Sequence, residues 1–115
     1  MSNEVLPFIS NEVVGLFEEF DGDYLADVIR LWDCDTQDWY DNTTAVFRFE
    51  SDDLFVWNEM GGLKVKRGPV DTQVFQQESL VGMPEDSCVV WRPDKSFANL
   101  IGRAALSAIL LESFA

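Results

Sequence analysis

The chain has 115 residues, 47% of them hydrophobic and 13% aromatic, and its net charge is −13 at pH 7. This length and apolar content predict a single folded domain spanning residues 1–115, and they exclude a disordered acidic chain, since such chains have few aromatic residues. The charge disfavours direct binding to nucleic acid or to a membrane, because both surfaces are anionic.

The negative charge is concentrated in the first half of the chain. Residues 1–59 hold fifteen acidic and two basic residues, whereas residues 60–115 hold six of each. Solubility explains a negative total, but it does not explain a one-sided distribution. The sequence therefore favours a negative surface that attracts a cationic partner and raises its association rate.

The first predicted element is a helix over residues 11–20. Ser10 or Asn11 provides an N-cap, because a short side-chain oxygen accepts hydrogen bonds from the free amides of the first turn. The apolar residues that follow have the three-and-four spacing of a helix with one buried face. Gly22 then ends the helix, since glycine readily adopts the left-handed conformation found at helix C-termini.

A second helix is predicted over residues 23–33. Its apolar residues recur at i, i+3, i+4 and i+7 and so share one helical face: Leu25, Val28, Ile29 and Trp32. The tight turn between the two helices predicts an N-terminal helical hairpin.

After Thr43 the hydrophobic pattern changes to alternation, which predicts strands with one buried face. The alternating runs cover residues 43–50 and 54–60, and a hairpin return covers residues 63–67. Residues 88–92 form a β-branched and aromatic run between Pro84 and Pro93, which predicts a last, buried strand. Residues 70–87 show no clear pattern. Short strands that follow one another between helices predict a mainly antiparallel sheet.

Gly61-Gly62 predicts a two-residue hairpin turn, because glycine tolerates the positive φ angles of such turns. This turn would place Glu59 opposite Lys64 and Trp57 opposite Lys66. The opposed charges of Glu59 and Lys64 would contribute about 0.2 to 1 kcal/mol.

The last predicted element is an apolar helix over residues 97–114, capped by Asp94 or Ser96. Its only charged residues are Arg103 and Glu112, so the sheet or a second copy of the chain must cover it. Together the elements predict an α+β domain. It would comprise the N-terminal helical hairpin, a central mainly antiparallel sheet of about four strands, and the C-terminal apolar helix packed on the sheet.

The residue types of common active sites are scarce. The chain has no histidine, which removes the commonest general base and the commonest zinc ligand. Cys34 and Cys88 are far apart in the sequence and lack metal-ligand spacing, so two separate buried or neutral thiols are the default expectation. A disulfide between them stays open, because it depends on the distance between their Cα atoms. No enzymatic activity, cofactor or metal site is predicted. The absence of a signal-peptide pattern and of an apolar run of about 18 residues predicts a cytoplasmic protein.

The candidate binding site follows the second predicted helix, where acidic and aromatic residues are interleaved. Residues 18–41 contain nine carboxylates and a single base, Arg30, and the part after Asp33 has no evident role in folding. Aromatic anchors at the centre of charged surfaces are typical of interface hot spots. The predicted partner-binding residues are Asp33, Asp35, Asp38, Trp39, Tyr40 and Asp41, with Asp52 and Asp53 at the edge of the site.

These features favour a small acidic binding or inhibitor protein that neutralises a basic partner. Immunity proteins and antitoxins for nuclease-type toxins, and phage-encoded inhibitors, are proteins of this kind. Two alternatives stay open. One is a nucleic-acid mimic, whose carboxylates would occupy a DNA-binding groove. The other is a structural homodimer or complex subunit that associates through residues 97–114.

Overall fold

The structure is a computed structural model that describes residues 9–41, 43–71, 88–105 and 107–112. Within them it forms one antiparallel sheet with short helices, which confirms the predicted α+β class. Nearly all of the segment without a clear pattern, 70–87, lies outside the described residues. The elements are α1 Asn11–Glu18, β1 Leu25–Asp33, β2 Asp38–Trp39, β3 Ala45–Phe49, β4 Asp53–Glu59, β5 Gly62–Arg67, β6 Val89–Pro93, a 3₁₀ helix Lys95–Leu100 and α2 Ser107–Glu112.

β1 is the central strand of the sheet. Trp32 of β1 is opposite Val90 of β6 and also opposite Trp39 of β2, so β6 and β2 lie on opposite edges of β1. β3 pairs with β1 on the same edge as β2, and β4 and β5 extend the sheet beyond β3. Every described pairing is antiparallel, which agrees with the predicted mainly antiparallel sheet, but within the described residues the sheet has six strands rather than about four.

The second predicted helix, residues 23–33, is wrong, because this segment is β1. A β-bulge between Leu25 and Asp27 adds one residue, so Leu25 and Val28 both reach the core despite their spacing of three. Ile29 and Leu31 are buried as well. A strand that is buried on both faces has a continuous apolar run, and here the bulge makes that run resemble helical periodicity.

The first predicted helix is confirmed as α1, and Ser10 is its N-cap, accepting a hydrogen bond from the amide of Val13 at 3.3 Å. α1 packs against α2 and β5. Phe17 of α1 meets Phe47 of β3 edge to face at 5.7 Å, and Phe20 stacks on Phe49 at 4.2 Å. Full burial of each such side chain contributes about 1.5 to 3 kcal/mol, so these aromatic contacts are the main attachment of the helix to the sheet.

The predicted register of the β4–β5 hairpin is also wrong. The turn is centred on Met60 and Gly61, with φ angles of 54° and 81°, and Lys64 lies opposite Trp57 rather than Glu59. A shift of two residues leaves every side chain on the same face, so the hydrophobic alternation could not distinguish the two registers. The observed register places Val65 opposite the buried Val56, which favours packing.

The predicted continuous helix over residues 97–114 is divided. Asp94 does cap the first turn, accepting from the amide of Ser96, but that turn is the 3₁₀ helix and ends at Leu100. Gly102 then has a φ of 80°, and its amide donates to the carbonyl of Leu25 at 2.8 Å. The helix is interrupted because this backbone pairs with the start of β1, and the described helical structure resumes only at α2.

Candidate functional site in the acidic β1–β2 hairpin

The acidic segment predicted to bind a partner forms a hairpin. β1 ends at Asp33, residues 34–37 make the turn, and β2 returns with Asp38 opposite Asp33. Gln37 closes the turn with a φ of 55°, a left-handed conformation that is uncommon for a residue with a side chain. The sequence reasoning treated this return as a loop and missed β2.

The carboxylates of this hairpin accept hydrogen bonds from its backbone and take part in no ion pair found among the described residues. Asp33 Oδ1 accepts from the amides of Asp35 and Thr36 at 2.9 and 3.2 Å, and Asp35 Oδ2 accepts from the amide of Cys88 at 3.1 Å. The ion pairs found among the described residues involve other acids. The hydrogen bonds to Asp33 and Asp35 tie these side chains to the backbone of the turn and of Cys88, while Asp38 is exposed.

Asp41 has a different position from the other predicted site residues. Its Oδ1 accepts from the amides of Thr43 and Thr44 at 2.9 and 2.6 Å, and its carbonyl accepts from Arg30 Nη2 at 2.6 Å. Both threonines are buried. Asp41 thus fixes the chain between β2 and β3, and its carboxylate is largely occupied within the protein.

The two predicted aromatic anchors are not equivalent. Trp39 is half-buried; its ring lies edge to face with Trp32 at 5.2 Å, and the Arg30 guanidinium lies 4.7 Å from its centre. Tyr40 is 42% exposed, while its amide donates to the carbonyl of Leu31 at 2.8 Å. Tyr40 is therefore presented to solvent from a fixed backbone, whereas Trp39 supports the hairpin.

An ion pair lies beneath the hairpin. Arg30 Nη1 is 3.0 Å from Asp94 Oδ2, and the two side chains are only 15% and 6% exposed. Burial of Asp94 raises its pKa, but hydrogen bonds from Ser96 and Arg30, together with the charge of Arg30, outweigh burial, so the pKa of Asp94 is lowered. Arg30 thereby connects β1, the hairpin and the start of the 3₁₀ helix.

The hairpin is also fixed by a disulfide bond between Cys34 and Cys88, whose Cα atoms are 5.2 Å apart. The expectation of two separate thiols is therefore wrong. The amide of Cys34 donates to the carbonyl of Cys88 at 2.9 Å, so pairing of β1 with β6 brings the cysteines together. That pairing joins residues 54 positions apart, which sequence spacing could not indicate.

Asp52 and Asp53 do not belong to the hairpin. In the sheet register, Asp53 of β4 lies opposite Arg48 of β3, and Arg48 lies opposite Asp27 of β1. Asp27 is six residues from Asp33 along β1, a distance of about 20 Å. Asp52 accepts from Arg67 Nε at 3.3 Å, and Asp53 accepts from the amide of Val70 at 3.1 Å. The predicted residues therefore form two separate groups, and this second group has partners within the protein.

The sequence reasoning missed Arg30 and Asp94 as parts of this region. Arg30 is the single base within residues 18–41, and Asp94 begins a capping pattern, so both carried a signal. The incorrect helix over residues 23–33 placed Arg30 on a solvent face and obscured it.

No family model, curated protein or solved structure matches the chain. Among the described residues, no group of three or more acids or cysteines is arranged to hold a metal ion. No helix within the described ranges is both long enough and apolar enough to cross a membrane.

Proposed function

We propose that this protein is a small acidic binding or inhibitor protein that neutralises a basic protein partner. An immunity protein or antitoxin for a nuclease-type toxin, or a phage-encoded inhibitor, would fit this description. The observation that carries the proposal is the β1–β2 hairpin, where Asp33, Asp35 and Asp38 take part in no ion pair found among the described residues and the aromatic side chain of Tyr40 is exposed.

The rigidity of the hairpin supports a role in binding. The Cys34–Cys88 bond, the Asp41 hydrogen bonds and the Arg30 contacts hold the hairpin in one conformation. A surface that is already ordered loses less conformational entropy on association, which increases affinity without additional contacts.

The proposed mechanism has two steps. The net charge of −13 first attracts a basic partner over distances comparable to the Debye length, which is about 8 Å at physiological salt. The hairpin carboxylates then pair with lysine or arginine side chains of the partner while Tyr40 packs at the centre of the contact. A basic active-site cleft occupied in this way would no longer be accessible to its substrate.

The first experiment is a pull-down from the native host at low and high salt, followed by association kinetics with the captured protein. Replacement of Asp33, Asp35 and Asp38 by Asn keeps an acceptor oxygen for the turn hydrogen bonds but removes three charges. We expect association to slow by about tenfold at low salt and to approach the wild-type rate at high salt.

A matched control removes three charges elsewhere. Glu12, Glu18 and Glu59 are exposed and take part in no ion pair among the described residues, so their replacement by Gln changes the net charge equally. If both triple variants slowed association equally, the hairpin would contribute only through the net charge of the protein and not as a specific binding surface. Recovery of no basic protein at low salt, together with a stable homodimer in sedimentation, would contradict the proposal and favour the homodimer alternative.

A cytoplasmic location belongs to the same proposal, and it requires Cys34 and Cys88 to be reduced there. Disulfides are rare in reducing compartments, so in the cytoplasm Cys34 and Cys88 would be two thiols held opposite each other by strand pairing. Alkylation of the protein during extraction from its native host distinguishes the forms, since only the thiols react. Complete protection from alkylation would contradict a cytoplasmic location.

A further inference from the structure

An open cleft of about 220 Å³ lies at one end of the sheet, beside the hairpin but separate from its carboxylates. Pairing places Arg30 opposite Arg92, and Trp32 lies two residues from Arg30, so all three side chains are on one face of the sheet. The cleft is lined by Trp32, Trp39, Arg92, Asp94, Lys95 and Ser96.

The charge of this cleft is opposite to that of the whole protein. Asp94 is paired with Arg30 at 3.0 Å, so the floor is electrically neutral. The side chains of Arg92 and Lys95 are exposed, and neither takes part in an ion pair or a side-chain hydrogen bond found among the described residues. Within the described residues, two cations without an ion-pair partner therefore lie in a concave site of a protein whose net charge is −13.

Arg92 is oriented by an aromatic ring. Its guanidinium carbon lies 4.4 Å from the centre of Trp32, a cation–π distance. Stacking uses the flat face of a guanidinium and leaves its N–H groups able to donate in the plane of the group. A fork of donors held in this way matches the two oxygens of a carboxylate or phosphate.

We propose that this cleft binds a small organic oxyanion, a molecule with a flat apolar body and a carboxylate or phosphate group. Arg92 donates to the oxyanion, Lys95 adds a second positive charge at the rim, and the indoles of Trp32 and Trp39 contact the apolar body. The proposal is independent of the basic protein partner, because that partner would contact the carboxylates of the hairpin instead.

The proposal is tested with benzoate and adenosine monophosphate as probes, and with benzamide and adenosine as uncharged counterparts. Binding is followed by NMR through the four tryptophan indole N–H signals. We expect the charged probes to shift the signals of Trp32 and Trp39, while Trp57 and Trp91 serve as internal references. A response to benzoate alone identifies a carboxylate ligand, and a response to the nucleotide alone identifies a phosphate ligand.

Variants connect the binding to the two cations. Loss of a charge-assisted hydrogen bond in Arg92→Gln should weaken binding by about 10-fold to 100-fold. Lys95→Gln, which removes no contact with Trp32, should weaken it by a smaller factor and keeps the test valid if Arg92→Gln alters the fold. Lys66→Gln removes one positive charge from an exposed side chain of β5, away from the cleft, and should leave binding unchanged.

Three results would overturn the proposal. The first is that neither charged probe shifts Trp32 or Trp39 at millimolar concentration. The second is that benzamide and adenosine bind as tightly as their charged counterparts. The third is that Lys66→Gln weakens binding as much as Arg92→Gln, since that pattern indicates a general electrostatic effect.

Discussion

The β1–β2 and β4–β5 hairpins each have a left-handed residue in the turn but are held very differently. Each contains a residue with a side chain at positive φ, Gln37 at 55° and Met60 at 54°. In the β1–β2 hairpin, a disulfide, an aspartate network and an arginine fix the flanking chain. In the β4–β5 hairpin, Met60 is fully exposed, and no side-chain hydrogen bond or ion pair among the described residues involves residues 57–64.

The β1–β2 hairpin is thus a surface held in place by other parts of the fold, whereas the β4–β5 hairpin is a simple connection between strands. Local backbone strain is maintained only where the surrounding structure enforces it, and such positions concentrate at functional sites. Met60 is enforced by strand pairing alone. Around Gln37 the conformation is held by side chains of several elements, which supports the proposal that the β1–β2 hairpin is the binding surface.

The disulfide is the strongest of these constraints. Its removal by reduction, or by Cys34→Ser with Cys88→Ser, should lower the free energy of unfolding by about 4 kcal/mol, because the bond restricts an unfolded chain over a separation of 54 residues. Urea unfolding with and without a reducing agent measures this loss. Identical midpoints in the two conditions would indicate that the cysteines are not crosslinked in the protein.

The ion pair beneath the hairpin should have the next largest effect. Asp94→Asn keeps the capping oxygen but leaves Arg30 with 15% exposure and no counter-charge, so the loss should be about 2 to 3 kcal/mol at neutral pH. The lowered pKa of Asp94 means that its contribution is present above its unfolded pKa, near 3.9, and is lost as pH falls through the folded value. The difference between wild type and variant should therefore narrow in acid.

A second ion pair provides the control for this measurement. Arg67 and Asp52 are 3.3 Å apart, but their side chains are 37% and 27% exposed. Asp52→Asn should change the free energy of unfolding by no more than about 0.5 kcal/mol. If Asp52→Asn were as destabilising as Asp94→Asn at neutral pH, burial would not be the property that distinguishes the two pairs.

Within the β1–β2 hairpin, Asp41 should matter more for stability than Asp33. Asp41→Ala leaves the amides of the buried Thr43 and Thr44 without their acceptor, with an expected loss of about 2 kcal/mol. Asp33→Ala removes two hydrogen bonds that water can replace and should cost less than about 1 kcal/mol. Urea unfolding of both variants tests the order. The reverse order would show that the turn, rather than the chain after β2, fixes the hairpin.

The sequence was most informative where a local pattern marks an element. Alternation identified β3 and β4, the Gly61-Gly62 turn identified β5, a β-branched and aromatic run identified β6, and helical spacing with a cap identified α1. It failed for β1, because a strand that is central and bulged lacks alternation, and for the helix predicted over residues 97–114, because pairing of Gly102 with Leu25 overrides helix propensity.

The candidate site could be located in the sequence but could not be assembled from it. The concentration of acids in residues 33–41 was evident. The disulfide, the Arg30–Asp94 pair and the cleft all depend on β6 lying beside β1, a long-range pairing that local pattern does not reveal. The same limitation explains why the sequence did not show that Asp52 and Asp53, predicted at the edge of the site, lie away from the hairpin.

The smallest effect concerns the two left-handed residues. Met60→Asn creates an Asn-Gly turn, which is strongly preferred where both central residues have positive φ, and should raise the free energy of unfolding by about 0.5 kcal/mol.

Gln37→Asn introduces the same preference for the left-handed conformation. At Gln37, however, the disulfide and the Asp33 hydrogen bonds already restrict the conformation of the turn. Gln37→Asn should therefore raise the free energy of unfolding by less than Met60→Asn does. Reduction of the disulfide should therefore increase the gain at Gln37 and leave the gain at Met60 unchanged. Equal gains at both positions in the oxidised protein would remove the distinction between the two hairpins.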